Sequence, residues 1–210
     1  MKIVGILGFK GSGKDTAANA LIEDGYVKFA YADTVKDVLA SVFVWPRHLL
    51  EGDTAESRAW REQVDPWWSA RLGIRNFTPR LALTTIGTDV MRNHFNDQIW
   101  IANVEKKIES LGHDKIVITD CRFENEVNLI KNYGGTLVRV RKGPEPVFFR
   151  YSQNVHHPDA TVRADALQMM SSTYSAIHPS EWRWNSITPD VILENDGTIA
   201  DLHAGIRGAV

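Results

Sequence analysis

Lys2-Ile3-Val4-Gly5-Ile6-Leu7-Gly8-Phe9-Lys10-Gly11-Ser12-Gly13-Lys14-Asp15-Thr16 begins as a β-rich apolar run, turns through glycines and passes into helix-forming residues. Inside it, Gly8-x-x-x-x-Gly13-Lys14 has the spacing of a phosphate-binding loop. Glycines let such a loop wrap so that backbone N–H groups face inward. The N-terminus of the following helix adds partial positive charge, and the lysine reaches the β- and γ-phosphates. The flanks, an apolar strand before and a helix after, are the context this motif requires. Lys10, Gly11, Ser12, Gly13, Lys14, Asp15 and Thr16 are therefore candidates for holding a nucleoside triphosphate. The bland alternative is a glycine-rich turn without a ligand.

The residue after the lysine is Asp15, where Ser or Thr is usual. The usual hydroxyl binds Mg²⁺. A carboxylate can ligate Mg²⁺ directly or hold one of its waters, because hard cations favour oxygen ligands. Thr16 could instead supply the hydroxyl, and Asp15 could simply complement the helix N-terminus. Mg²⁺ is the expected cofactor in the first two readings.

Composition narrows the class. The chain has 210 residues, 43% hydrophobic and 24% charged, enough for one good core. A net charge of -2 argues against a broad nucleic-acid footprint, which needs a basic excess. A single cysteine, Cys121, cannot form an intrachain disulfide and fits a reducing compartment. No apolar run approaches the ~20 residues that span a bilayer. The N-terminal apolar run has no small-residue cleavage site and reads as a buried strand. The expectation is a cytoplasmic protein that binds neither membrane nor nucleic-acid polymer.

Periodicity and punctuation predict strands over residues 2–8, 26–32, 115–119, 136–140 and 191–193. Helices are expected over 15–24, 97–111, 124–133 and 199–207. Another should start from Asp33 as N-cap, with Val35, Val38, Leu39, Val42 and Phe43 on one face, and stop at Pro46. Residues 46–78 read as less regular and are rich in Trp and Arg. Pro79 suits a helix start, with Leu81, Leu83, Ile86, Val90 and Met91 at helical spacing. Residues 143–189 read as a lid-like excursion, helical at about 160–176. The strand–helix alternation implies a parallel sheet covered on both faces, in a single α/β domain.

Other charged positions fit phosphoryl transfer. Ile116-Val117-Ile118-Thr119-Asp120 is an apolar strand ending in a carboxylate, the place where phosphate-loop enzymes keep an Asp beside Mg²⁺. Asp15 and Asp120 are thus the metal candidates. Arg122 is placed to neutralise migrating phosphoryl oxygens or to grip an acceptor phosphate, or else to pair with Glu126 at helical spacing. Lys36, Arg58, Arg61 and Arg80 are further cations of the kind a phosphorylated acceptor needs. Trp60, Trp67, Trp68 and Trp100 could stack on a base or simply fill a core. His156-His157 lacks companions at metal-ligand spacing.

Taken in order, Gly11-Ser12-Gly13-Lys14-Asp15-Thr16, Ile86-Gly87-Thr88-Asp89, Trp100, Thr119-Asp120-Cys121-Arg122-Phe123-Glu124-Asn125-Glu126 and Asn195-Asp196-Gly197-Thr198 resemble the bacteriophage deoxynucleoside monophosphate kinases over nearly the whole chain. The resemblance implies a three-layer P-loop fold of the adenylate-kinase kind. It would have a five-stranded parallel sheet, a helical acceptor-binding region at about 44–95 and a lid at about 143–189. It implies that Lys10 to Thr16 hold ATP, with Asn195 and Gly197 near its adenine. It implies that Lys36 and an arginine in 58–61 meet the acceptor phosphate. Gly87, Thr88, Asp89 and Trp100 would line the deoxynucleotide pocket, with Arg80 a further candidate there. Arg122 and Glu126 would stand between the two substrates, with Lys14, Arg122 and Asp120 as the catalytic set.

One departure concerns base choice. The family often has Gln three residues before the glycine of its G-T-[DE] stretch, and this chain has Thr84. His178-Pro179-Ser180-Glu181 resembles a family stretch that belongs to the lid or to deoxyribose contacts. The rival readings are another small-metabolite kinase, such as a dephospho-coenzyme A kinase-like enzyme, and a nucleotide-switched binding protein. The latter usually carries an Asn-Lys-x-Asp base-reading motif, which this sequence lacks. The Trp-rich residues 60–68 are candidates for contact between two copies of the chain.

Overall fold

The computed structural model describes residues 1–210. In chain order its elements are β1 (Lys2–Leu7), α1 (Lys14–Glu23), β2 (Val27–Phe29) and α2 (Tyr31–Phe43). A 3-10 turn (Arg47–Leu50) leads to α3 (Ala55–Arg61), α4 (Pro66–Leu72) and α5 (Pro79–Thr84). A π-helical stretch (Thr85–Phe95) precedes α6 (Ile99–Leu111). Then come β3 (Lys115–Ile118), α7 (Glu124–Asn132), β4 (Thr136–Arg141), α8 (Phe149–Ser152) and α9 (Ala160–Ser171). Two 3-10 turns (Pro179–Glu181 and Arg183–Ser186), β5 (Val191–Glu194) and α10 (Ile199–Gly208) complete the chain. Two compact units emerge, one of residues 1–30 and 108–210, the other of residues 31–107.

The first unit holds the whole sheet. All five strands run parallel in the order β2-β3-β1-β4-β5, with β1 flanked by β3 and β4. Side chains alternate across β1, so its two faces meet different helices. Val4 and Ile6 join Val117, Val138 and Val140 beneath α1 and α10, where Ala17, Ala18, Leu21, Leu202 and Ile206 close the cluster. On the other face α7 packs on β1 and β4, burying Val127, Leu129 and Ile130. Strands buried on both sides read as continuous apolar runs, and KIVGIL does so. The fold is a three-layer α/β arrangement with its phosphate loop after the central strand.

Residues 143–189 build a small core of their own. Val155, Ala166, Met170 and Trp182 pack together with Phe148, Tyr151, Tyr174 and Ile177 around them. Its helix, α9, ends at Ser171, short of the expected 176.

Several local expectations need correction. The second strand is only Val27–Phe29, and α2 already begins at Tyr31. Asp33 therefore lies in the first turn of α2, accepting from Lys36 at 3.1 Å, and is not its N-cap. Val35, Leu39 and Phe43 of α2 are buried, but Val38 and Val42 are exposed, so the stripe is narrower than the spacing suggested. Residues 46–78 hold two short helices besides the 3-10 turn. Each of α3 and α4 is capped by a side chain, Thr54 and Asp65. The helix from Pro79 changes to π geometry at Thr85, which breaks the 3.6-residue stripe, and of its residues Leu81 and Val90 are exposed. β3 stops at Ile118, so Asp120 lies beyond the strand end and not on it.

Ile206 is fully buried in the cluster that α10 closes over the sheet. Ile206→Ala should lower the unfolding free energy by about 2–5 kcal/mol, the usual loss for a large core residue with a residual cavity. Urea denaturation followed by circular dichroism checks this.

Candidate active site

The loop in the first unit is built by short-range bonds. β1 ends at Leu7, and Ser12 N–H donates to the Phe9 carbonyl at 3.1 Å. Gly13 then takes a left-handed conformation (φ 101°) as the N-cap of α1, with no side chain bonding the first-turn amides. A Cβ at Gly13 would collide with the Asn195 side-chain nitrogen, so glycine is required twice over. The arrangement leaves the α1 N-terminus open to an anion. Ser12 Oγ is buried with no hydrogen-bond partner in the protein. Lys10 and Gly11 are exposed beside it.

The Lys14 ammonium curls back over the loop and donates to the carbonyls of Gly8 and Phe9, each at 2.9 Å. Burial, and next the charge of Arg122, lower its pKa from 10.5 to about 8, against the opposing pull of Asp15, Glu181 and Asp120. All four of these charged groups thus act on one ammonium. Asp15 itself is exposed and pairs with Lys28 at 2.8 Å, and Thr16 follows it in the first turn of α1.

Arg122 donates through Nη1 to Glu181 at 2.5 Å. The alternative pairing with Glu126 does not form. Instead the Glu126 carboxylate, almost fully buried, accepts from the backbone N–H groups of Arg122 (2.6 Å) and Phe123 (3.1 Å). Glu126 thereby fixes the path of the chain between Asp120 and α7. The sequence marks Glu181 only as part of the His178–Glu181 stretch; its pairing with Arg122, 59 residues away, leaves no local signal.

Asn195 secures the far side of the loop. Its backbone N–H donates to Arg141 at 2.7 Å, and its side chain donates to the Ser12 carbonyl at 2.8 Å. Gly197 sits just ahead of Thr198, the N-cap of α10. A cavity of about 100 Å³ adjoins the loop, lined among others by Lys10, Ser12, Val140, Arg141 and Glu145.

Phe9, in a variable position of the loop, meets the rings of Phe148, Phe149 and Trp184, the last at 4.7 Å. Arg139 is buried, lies 4.5 Å from the Phe149 ring centre and 5.3 Å from that of Trp184, and pairs with Glu145. Arg141, the last residue of β4, pairs with Glu194, and Arg150 beyond it lies over the Tyr151 ring. Lys142 is exposed.

The second unit holds the remaining candidates. Lys36 is buried and donates to Glu51 at 2.6 Å and Asp33 at 3.1 Å, and Glu51 also takes Arg47. Its desolvation is outweighed by these carboxylates, so its pKa is raised. Arg80 pairs with Glu62 at 3.1 Å. Arg58 donates to the Asp53 carbonyl at 2.7 Å, and Arg61 lies against Gly52. Gly87, Thr88 and Asp89 fall on the π-helical stretch. The buried Trp100 indole donates to the Gly87 carbonyl at 2.7 Å, joining two of the candidates. π-helical turns recur at functional positions.

Residues 67–156 match the family model for deoxynucleotide monophosphate kinase. The whole chain is 26% identical to a protein of Acanthamoeba polyphaga mimivirus named as a deoxynucleotide monophosphate kinase, covering 96% of that protein. It is also 28% identical, over 61% of its length and 71% of the relative's, to the deoxynucleoside-5'-monophosphate kinase of Escherichia phage T5. Among solved structures, the dephospho-CoA kinase from Campylobacter jejuni covers 99% of this chain and 95% of its own, at TM-score 0.45 and 14% identity. No helix is long and apolar enough to cross a membrane.

The depressed pKa of Lys14 means that the fold carries a cost for its positive charge. Below pH 8 both folded and unfolded chains are protonated, and the cost is fully present. Between pH 8 and 10.5 the folded chain gives up the proton first, so stability rises with pH. Lys14→Met should therefore raise the melting temperature at neutral pH, by at most ~3 kcal/mol of stability. That advantage should shrink as pH rises through the window, as read by thermal denaturation at a series of pH values. The family-model match and the full-length similarity identify the chain as a nucleotide kinase, a phosphotransferase related to the deoxynucleotide monophosphate kinases.

Proposed function

We propose that the protein transfers the γ-phosphate of ATP to a deoxynucleoside 5'-monophosphate, giving ADP and a deoxynucleoside diphosphate. Such an enzyme would supply DNA precursors for a phage in its host's cytoplasm. The observation that carries the reading is the Lys14 ammonium, held at the mouth of α1 beside Arg122 with its proton affinity reduced. A cation of the loop with a second one near it suits a polyanion, and the names of the relatives supply its class.

In this reading Lys10, Gly11, Ser12, Gly13, Lys14 and Thr16 bind the ATP phosphates, and Asn195 and Gly197 lie by the adenine. Lys36, Arg61 and Arg80 meet the acceptor phosphate. Gly87, Thr88, Asp89 and Trp100 shape the deoxynucleotide pocket. An oxygen of the acceptor phosphate attacks the γ-phosphorus, and the bond to the β-γ bridging oxygen breaks. That acceptor oxygen is already anionic at neutral pH, so no general base is needed. Lys14 and Arg122 neutralise the migrating oxygens. Glu126 contributes by holding the Arg122 backbone, and closure of residues 143–189 would exclude water.

The carboxylates of Asp15 and Asp120 and the hydroxyl of Thr16 are hard oxygen donors, the set that suits Mg²⁺. These residues would hold the ion, directly or through water, and when bound it would supply positive charge to neutralise the phosphate groups.

The test is ADP release measured across the common deoxy- and ribonucleoside monophosphates and dephospho-coenzyme A. Turnover should depend on a deoxynucleoside monophosphate and vanish in Lys14→Ala, whose circular dichroism stays native. A folded Lys14→Ala protein with full activity would overturn the mechanism. Turnover with dephospho-coenzyme A alone would overturn the substrate.

A further inference from the structure

Two arginines of α3 return to the same short loop, residues 51–54, but in different ways. The loop is firmly held. Asp53 Oδ1 accepts from Thr54 N–H at 2.9 Å and from Ser57 Oγ at 3.2 Å. Thr54 and Ser57 form a reciprocal cap at the start of α3, and Ser57 is almost fully buried. Onto this loop Arg58 directs Nη1, donating to the carbonyl of Asp53 at 2.7 Å and to that of Gly52 at 3.5 Å. Its guanidinium is thus used in fastening the loop.

Arg61, the last residue of α3, does something else. Its guanidinium is pressed against the bare Cα of Gly52. A Cβ built there would overlap Nη2, Cζ and Nη1, the last at 2.6 Å. Gly52 also has φ +69°, in the left-handed region. The missing side chain is therefore where the guanidinium sits.

We infer that Gly52 is a positioning residue for Arg61, setting where the Arg61 guanidinium stands for recognition of the acceptor phosphate. The inference rests on the proposed role of Arg61 as a ligand of that phosphate. A guanidinium recognises phosphate through a planar fork of donors, so its orientation matters as much as its charge. Backbone on one side limits the orientations that the fork can take. Any Cβ at position 52 must push the fork away. A long flexible side chain yields easily, so the fold tolerates the change while the recognition geometry does not. The two α3 arginines thus meet the loop differently: Arg58 through its carbonyls, and the Arg61 guanidinium against its glycine.

Gly73 provides the matched control. It ends α4 at φ 67°, in the same conformation, but a Cβ there meets nothing within 4 Å. Gly73→Ala therefore imposes the backbone strain alone. Steady-state kinetics of Gly52→Ala, Gly73→Ala, Arg61→Ala and the Gly52→Ala/Arg61→Ala pair test the inference, with the best monophosphate substrate of the ADP-release series. Gly52→Ala should raise KM for the monophosphate by about tenfold, since displacements near 1 Å weaken well-placed contacts strongly. Its KM for ATP should stay unchanged, and its melting temperature should match that of Gly73→Ala. In the Arg61→Ala background the Gly52 change should add nothing. Gly52→Asn, better tolerated at positive φ, carries the same Cβ and repeats the test if the alanine variant folds poorly. A raised KM in Arg61→Ala but not in Gly52→Ala, beyond Gly73→Ala, overturns the inference and leaves the role of Arg61 standing. An equal effect of Gly52→Ala with and without Arg61 also overturns it. An unchanged KM in Arg61→Ala removes the role of Arg61, and the inference with it.

Discussion

Lys14 brings a positive charge into a partly buried loop that already lies near a second one, Arg122. Two backbone carbonyls, Gly8 and Phe9, hold the ammonium in place, and three carboxylates offset part of the repulsion. The rest of the first unit is arranged around this tension. β1 delivers the loop, α1 offers its open N-terminus, and the flanking strands β3 and β4 carry Asp120, Arg122 and the Arg141 carbonyl to its rim. A loop that is uncomfortable by itself is suited to an anion, because a polyphosphate relieves the repulsion that the bare protein must tolerate.

The surroundings of the loop are held by contacts between distant parts of the chain. Asn195 ties it from the end of β5, and Phe9 anchors it in rings carried by residues 143–189. Arg139 is drawn into that aromatic cluster and paired with Glu145, so it serves the packing beneath the excursion. Arg122 meets Glu181 from the same excursion. Any movement of residues 143–189 is thereby linked to both Phe9 and Arg122, which gives a physical route from excursion to phosphate loop.

In the second unit, charge is likewise organised by close pairing. Lys36, Arg47, Asp33 and Glu51 form one network, and Glu51 is kept ionised below its ordinary pKa: the bonds and charges of Lys36 and Arg47 outweigh its desolvation. The neighbouring loop carries Arg58 on its carbonyls and Arg61 on its glycine. Trp100 joins α6 to the π-helical stretch through the Gly87 carbonyl, so a residue type that suggests base stacking is here a buried donor.

The sequence by itself determined what depends on contiguous residues. The spacing from Gly8 to Lys14, the apolar strands and the helix start at Pro79 follow local rules of sterics and hydrogen bonding. They gave the α/β class, the parallel sheet and the phosphate loop. Where local rules competed with packing, the reading slipped: α2 took over residues assigned to the second strand, and π geometry displaced a regular stripe after Thr84. Only the tertiary structure decided which way the polar groups face. Glu126 and Arg122 are spaced to pair, yet Glu126 turns to backbone amides and Arg122 to Glu181. Arg58 and Arg61 look alike in sequence, yet Arg58 donates to the carbonyls of the loop while the Arg61 guanidinium stands against the Cα of Gly52. A carboxylate or guanidinium satisfies whichever donor or acceptor the fold brings within 3 Å or so, and that neighbour is set by residues tens of positions away.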